Sequence, residues 1–309
     1  MKQYDIGIII INYNKSDLTI ACVKSIIERT DSKINYQLVI VDNASTFEDY
    51  SNLKESFDAP GFGHVKLVRS MINTGFGGGN MFGVQHVNAS YYAFINNDTL
   101  LLNDCLSILK NYLDKQPELA VCGPEIQNEQ QERQVSFDHF SSLLREVLGK
   151  RFLEIINSKK YPNRKKRYEE PMIVNYVNGS FMLCRASNFH DVGGFDTNIF
   201  LFYEESDLCY RLFKQNKLTS FVPEAKYMHY QGKSLPNSII SKIELKTSMF
   251  YMIRKNYGYI QYQLLRIILL VKYTFTCLVK PKYLPLLYRI LIGMPVSKSI
   301  KQQQRIVKF

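Results

Sequence analysis

The run Ile6-Gly-Ile-Ile-Ile-Ile-Asn-Tyr-Asn14 decides the fold class. Its first six residues carry no polar side chain, so they read as a strand buried on both faces. The Asn-Tyr-Asn that follows is a turn signal. Residues 17–29 then show helical spacing, with Leu18, Ala21, Cys22 and Ile26 expected on one side. Leu38-Val-Ile-Val41 is a second strand, ending in Asp42-Asn-Ala-Ser45. Residues 65–68 and 91–95 supply a third and a fourth. Near-continuous apolar strands alternating with helical segments predict an α/β chain with a mostly parallel sheet covered on both faces. Ligands of such sheets sit at the carboxyl ends of strands. Asn12, Asp42 and Asn96-Asn-Asp98 all fall at such ends, and that coincidence says more than any one of them.

A second stretch points to chemistry. In Phe200-Leu-Phe-Tyr-Glu-Glu-Ser-Asp-Leu-Cys-Tyr-Arg211, the carboxylates Glu204, Glu205 and Asp207 fall within four residues of apolar sequence. Buried acids are costly unless each has a partner or a task. The pattern suggests a general base at the bottom of a cleft. The bland alternative is a salt-bridge network, with Arg211 one helical turn from Asp207.

Composition bounds the rest. The chain has 309 residues, 46% of them hydrophobic, enough for a large domain with an appendage. Six scattered cysteines without a CxxC pair fit reduced thiols better than disulfides or a zinc site. The apolar run 6–11 is too short for a secretory core, so no signal peptide is expected. The net charge of +11 is unevenly placed. Residues 242–309 hold thirteen Lys/Arg against Glu244 alone, whereas residues 1–241 hold 26 Lys/Arg against 27 Asp/Glu. A nucleic-acid enzyme would spread positive charge along its groove, so nucleic acid is not an expected partner. A neutral body with a basic, apolar tail suits an anionic membrane surface. Residues 261–279 are rich in Leu, Ile, Val and aromatics but interrupted by Arg266 and Lys272. They read as an amphipathic or interfacial helix rather than a transmembrane span. Residues 126–172, with a polar run at 127–133 and a basic one at 159–167, read as an insertion or mobile loop beside the active site.

The most Gly-dense segment is Asn73-Thr-Gly-Phe-Gly-Gly-Gly-Asn80. A dinucleotide fold places GxGxxG directly after its first strand, and a nucleotidyltransferase places a basic Gly-rich loop there. Here that turn is Asn12-Tyr-Asn14, without glycine, which argues against both. No Gly-Lys-Ser/Thr of a P-loop follows the glycines either. They read as a tight turn before a helix that lets backbone approach a phosphate or sugar. Asp98 can hold a divalent cation, or cap a helix beginning near Leu100. His229 lies in Tyr227-Met-His-Tyr-Gln-Gly-Lys-Ser234, shortly after the acidic cluster; a lone histidine there is either structural or a ligand.

Together these segments resemble glycosyltransferase family 2, inverting enzymes of the GT-A nucleotide-diphospho-sugar transferase fold. The resemblance rests on Ile11-Asn-Tyr-Asn14, Val41-Asp-Asn-Ala-Ser45, 73–80, Asn96-Asn-Asp98, Gly193-Gly-Phe-Asp196, Glu204-Glu-Ser-Asp-Leu208 and His229-x-x-Gly-x-Ser234. Order and spacing agree over residues 4–235. This implies a GT-A domain over 1–235, with 126–172 as a variable insertion near the acceptor side. Residues 236–309 would be a helical, basic, C-terminal region. The subgroup resembled is that of bacterial rhamnosyltransferases of O-antigen and capsule assembly.

The resemblance also implies roles. Asn12 and Tyr13 would line the nucleobase pocket; Asp42, with Asn43, would bond base or ribose. Gly78, Gly79 and Asn80 would lie near nucleotide and donor sugar, with Asn96 and Asn97 beside them. Asp98 would bind Mg²⁺ or Mn²⁺ bridging the diphosphate, and His229 would be a second metal or phosphate contact. Glu205 matches the catalytic base and Glu204 a sugar contact. The pocket around Phe181, Phe200 and the insertion would set specificity. The expected donor is a dTDP- or UDP-linked sugar, rhamnosyl favoured, with UDP-hexose or UDP-galactofuranose as alternatives. The expected acceptor is a lipid-linked glycan, reached by a cytoplasmic enzyme held at the inner face of the plasma membrane. Two positions depart from the family: Asn96 replaces an acid, leaving Asp98 the only obvious carboxylate ligand, and Glu205 replaces the usual Asp. The first departure keeps open a non-catalytic sugar-binding module with a degenerate metal site.

Overall fold

The computed structural model describes residues 3–230 and 238–307. The first half alternates strand and helix: β1 (Gln3–Asn12), α1 (Ser16–Arg29), β2 (Tyr36–Asn43), α2 (Phe47–Phe57), β3 (Val65–Ser70), α3 (Gly75–Val84) and β4 (Asn88–Asn96). Then come β5 (Thr99–Leu101), α4 (Cys105–Asp114), β6 (Leu119–Gln127), β7 (Phe137–Asp138), α5 (Leu143–Leu148), α6 (Lys150–Ile156), β8 (Met172–Val174) and β9 (Tyr176–Val177). The body ends with β10 (Phe181–Arg185), α7 (Ala186–Asp191), α8 (Glu204–Lys214) and β11 (Leu218–His229). Three helices follow: α9 (Ile239–Tyr257), α10 (Tyr259–Val279) and α11 (Leu284–Leu291).

The central sheet runs β3-β2-β1-β4-β10-β6-β11-β5, with β8 added beside β11. β3, β2, β1 and β4 are parallel, so their carboxyl ends form one edge. β10 enters antiparallel between β4 and β6, while β6 and β11 are again parallel. β1, β2 and β4 have apolar centres because both faces are covered there. Ile6, Ile8 and Ile10 join a core with α1, α2 and α4, whereas Ile9, Val39 and Val41 face α3, α7 and α8. Successive strand side chains alternate faces, so a two-sided core leaves few polar positions along these strand centres.

Three local expectations change. The buried face of α1 is Ser16, Thr19, Cys22, Val23 and Ile26; Leu18 and Ala21 sit at its flank, half-buried. The small polar residues Ser16 and Thr19 face inward because they bond Asn52 and Asn12. No helix starts near Leu100; residues 99–101 pair with β11, and the next helix is capped by Asp104. Residues 128–171 contain β7 and two short helices rather than a plain loop. Asp138, beside the helices, takes Arg145, Lys150 and Arg164 as ion partners, which ties this segment together. All six cysteines are buried and unpaired.

The C-terminal helices have their own core of Met249, Phe250, Ile253, Leu265, Leu269, Leu286 and Ile290. They also dock on the body: Lys255 of α9 reaches Asp207 (3.0 Å) and Asp196 (2.7 Å), and Ser248 donates to the Leu201 carbonyl (2.7 Å). The expected boundary at residue 235 lies outside the described residues. By length and composition alone α10 is apolar enough to cross a membrane, although Arg266 and Lys272 interrupt it. Arg266 donates to the carbonyls of Ile290 and Leu291, so its charge is met inside the α10–α11 pair.

Candidate active site

A cavity of about 390 Å³ opens at the carboxyl ends of β1, β2 and β4. Of the residues expected at the site, it gathers Tyr13, Asn43, Asn96, Asn97 and Asp98. Lys15, Asn73, Phe76 and Phe200 complete it from the adjoining turns, with Ile300 and Gln304 from the far C-terminus. Tyr13 is 48% exposed, its ring free to cover a ligand. Asn43 organises the wall: its amide donates to Asn73 (3.0 Å) and the Gly75 carbonyl, and its oxygen accepts from Thr74. This fixes the entry to α3. Gly75 has φ +74°, and a Cβ there would lie 2.1 Å from the Phe200 carbonyl oxygen, so only glycine fits.

Several expected contacts are placed elsewhere. Asn12 is fully buried, donating to Asp49 (2.7 Å) and Ser45 (3.0 Å) and accepting from Thr19 (2.7 Å). Asp42 is also fully buried and pairs with Arg69 at 3.2 Å. Burial pushes its carboxyl up, against the opposing pull of Ser45, Asn12 and Arg69. Both residues staple strand ends and do not line the cavity, because their polar atoms are spent on α1, α2, β3 and the Ser45 turn. Nor do the glycines form a turn before a helix: they are the first turns of α3 itself. Gly79 lies against Ile11, and Gly78 against Thr74. Asn80 is buried and donates to the Phe76 carbonyl. Gly79 lets α3 come close to β1, and none of the three lines the cavity. Phe181 is core, packed on Tyr227, whereas Phe200 does line the cavity.

Asp98 and His229 meet. The register of β5 against β11 sets Thr99 opposite His229, and His229 Nε2 stands 3.1 Å from Asp98 Oδ1. Asp98 is 2% exposed yet lines the cavity. Among the described residues no cluster of three or more His, Cys, Asp or Glu side chains is set to hold a metal. Asp98 and His229, a carboxylate and an imidazole already paired with each other, are the residues here that would hold a divalent cation. Gly232 and Ser234 of the motif after His229 lie outside the described residues.

The acidic cluster opens α8. Phe202 and Tyr203 both adopt left-handed backbone (φ +71° and +72°), strained for residues with side chains, to turn the chain into that helix. The three acids then part ways. Asp207 is fully buried, held by Arg211 (2.8 Å), Lys255 and Asn256. Arg211 also donates to the carbonyls of Val192 and Gly194, which fixes the Gly-Gly-Phe-Asp segment. At Asp196, burial works against ionisation, but Lys255, the Asn198 N–H and Tyr251 prevail and hold the carboxyl at about 2. Glu204 is 3% exposed, packs against Gly77 of α3, and burial, then Glu205, pushes it well above the carboxylate range.

Glu205 faces a second, smaller cavity of about 140 Å³ with Phe137, Asp138, Tyr176 and Asn178. Burial, then the charge of Asp138, raises its carboxyl to about 7, despite backbone N–H groups that pull it down. The 178–180 turn touches both places: Gly179 lies against Glu205, and the Ser180 carbonyl accepts from the Asn96 N–H at 2.8 Å. Sequence reasoning missed this turn, Asp138 and Tyr176. Their side chains are ordinary, and only the pairing of β7 with β9 brings them to the acid.

Comparison with known proteins follows the same outline. The profile of the family described as "Glycosyl transferase family 2" matches residues 7–193. Rhamnosyltransferase WbbL of Escherichia coli (strain K12) is 29% identical over 195 residues, 59% of this chain and 71% of that one. N-acetylglucosaminyl-diphospho-decaprenol L-rhamnosyltransferase of Mycobacterium tuberculosis is 41% identical over 61 residues, 20% of each chain. Among solved structures, GalNAc-T7 with UDP, GalNAc and Mn²⁺ superposes with a TM-score of 0.60 at 14% identity, over 81% of this chain and 48% of that one. The mannosyltransferase PcManGT from Pyrobaculum calidifontis, in complex with GDP-Man and Mn²⁺, gives 0.56 at 14%, over 96% and 87%.

Proposed function

The chain belongs to glycosyltransferase family 2 and has the GT-A fold, and from that premise we propose that it is an inverting transferase. It moves a rhamnosyl group from a dTDP- or UDP-linked donor to a hydroxyl of a lipid-linked glycan. The observation that carries this reading is Glu205, a carboxyl raised to about 7 at the start of α8, packed against the 178–180 turn that also bonds Asn96 of the strand-end cavity. A base whose pKa lies near working pH combines availability with proton affinity. The preference for rhamnose is supported by the names of the matched relatives.

Glu205 takes the proton from the acceptor hydroxyl as that oxygen forms its bond to the anomeric carbon. The bond from that carbon to the diphosphate oxygen breaks on the opposite face, its electron pair leaving with the nucleoside diphosphate. Attack opposite the leaving group inverts the anomeric centre. Asp98 and His229 would hold Mg²⁺ or Mn²⁺, which when bound offsets negative charge on the diphosphate. Tyr13 and Asn43 hold the nucleoside side of the donor, and Asn96 and Asn97 lie beside the transferred sugar.

In this proposal the appendage holds the enzyme at the inner face of the plasma membrane, a reading supported by its exposed apolar and basic residues. Ile260, Leu264, Ile267, Val271, Phe275 and Leu278 form an exposed stripe on α10 at helical spacing. α5 packs on α10 and, with α6, adds exposed Leu144, Val147, Phe152 and Ile155. Exposed Lys272, Lys280 and Lys282 suit anionic headgroups. A lipid-linked acceptor would thus meet α5 and α6 close to Asp138 and Glu205.

The test is to incubate the full chain with nucleotide sugars, dTDP-rhamnose first, with and without Mg²⁺ or Mn²⁺. Nucleoside diphosphate release and transfer to a polyprenyl-diphosphate-linked sugar are followed, and product anomers read by NMR. Metal-dependent transfer with inversion is expected; retention, or no turnover with any donor, would overturn the reading.

A further inference from the structure

The far C-terminus reaches the donor site from the appendage. After α11, Ser299 donates to Glu244 Oε1 (2.5 Å) and the Ile300 N–H to Glu244 Oε2 (2.9 Å). Glu244 is a buried acid of α9, 1% exposed, so this latch is built into the appendage core. Lys301 then donates to the Thr197 carbonyl, close to the Phe200 wall. Seven residues beyond Ile300, the Val307 N–H donates to the Met71 carbonyl (2.8 Å), at the end of β3. Between these anchors, Ile300 and Gln304 line the same cavity as Tyr13, Asn43 and Asp98.

We propose that residues 299–307 are a strap forming the outer wall of the donor site, with Ile300 and Gln304 contacting the nucleoside part of the donor. This rests on the donor reading given above. Asp98 follows β4, and the strap ends beside β3, three strands away. At about 4.8 Å per strand, that is about 14 Å of strand-end edge. With the diphosphate at Asp98, the nucleoside lies toward β2 and β3, under the strap. The chemistry suits it. Ile300 offers an aliphatic cover for a base or ribose. The Gln304 amide donates one N–H to the Ile300 carbonyl (3.1 Å), which orients it; a second N–H and the oxygen remain to pair with a pyrimidine edge. The membrane-facing helices and the donor pocket are thereby joined through one short segment.

The test uses the full chain, with UDP and dTDP as probes in Mn²⁺ buffer, and measures affinity by calorimetry. Gln304→Ala is expected to weaken binding about 3- to 10-fold, the loss of one hydrogen bond. Ile300→Ser should also weaken it, both with an unchanged thermal midpoint. Amide exchange across 299–307 should slow when nucleotide is added. Parental affinity in both variants, with no change in exchange, would overturn the strap while leaving the donor reading intact. Failure of the parent to bind either nucleotide would overturn both.

Discussion

Glu205 shows how position decides what a carboxyl does. Three acids stand within four residues; one is fully ion-paired, one is walled in against α3, and one opens on a small cavity. Glu205→Gln keeps the shape but cannot accept the proton. We expect transfer to fall about 10²- to 10⁴-fold with donor binding retained. Near-normal turnover by that variant would remove the assignment. In the parent, activity should rise with pH through about 7, as Glu205 loses its proton. Stability follows the same group with the opposite sense. Its folded pKa is raised from 4.5, so the folded chain keeps the proton longer than the unfolded one. That stabilising contribution is complete below about pH 4.5 and is lost as pH rises through about 7. Glu205→Gln should therefore melt higher than the parent above pH 7 and not below pH 4.5; thermal scans at both ends check this. At Asp98, Ala is expected to weaken nucleotide binding only when metal is present. Equal affinity with and without EDTA in both proteins would count against a metal there.

At the scale of elements, α3 shows why a glycine cluster need not be a phosphate loop. Its residues are selected by the distance between helix and sheet. A Cβ at Gly83 would lie 2.5 Å from Ile9 Cγ2 and 3.0 Å from Val41 Cγ2, both branched close to central strands. At Gly79 the nearest atom is Ile11 Cδ1 at 2.9 Å, the movable end of a side chain. Gly83→Ala should therefore cost about 1–3 kcal/mol, the usual penalty of overpacking. Gly79→Ala should cost less, as read from denaturant midpoints. Equal midpoints for the two variants would refute this account of helix placement. The strands were legible because periodicity and burial agree: a chain covered on both faces has little choice but Val, Ile and Leu. The start of α3 at Gly75 was not, since glycine carries no apolar signature and its low helix propensity argues for a turn. Tertiary packing overrode that local preference.

Over the whole molecule, the basic tail is both a packed appendage and an exposed apolar surface. α9 is bound into the body through Lys255, Asp207 and Asp196, so cutting the chain near Lys242 would strip partners from buried acids. Substitution tests the membrane more cleanly. Replacing Ile267, Val271 and Phe275 by Glu should abolish flotation with anionic vesicles and leave the thermal midpoint unchanged. Undiminished flotation of that variant would defeat the membrane assignment. Flotation of the parent should also weaken with salt, since part of the attraction is screened charge. The sequence by itself determined the four parallel strands, the polar residues at their ends, the family and a cluster of acids set in apolar sequence. Each of these is written in local patterns: apolar period, turn residues, motif spacing. Tertiary structure alone decided which strand-end residues face the cavity, because Asn12 and Asp42 carry the same chemistry as Asn43 and Asp98 but spend it on neighbouring elements. It alone brought Asp138, Tyr176 and Gln304 to the two cavities, from segments up to 128 residues away from Tyr176 along the chain. No local pattern records such encounters, since they depend on how separate elements pack rather than on what any of them contains.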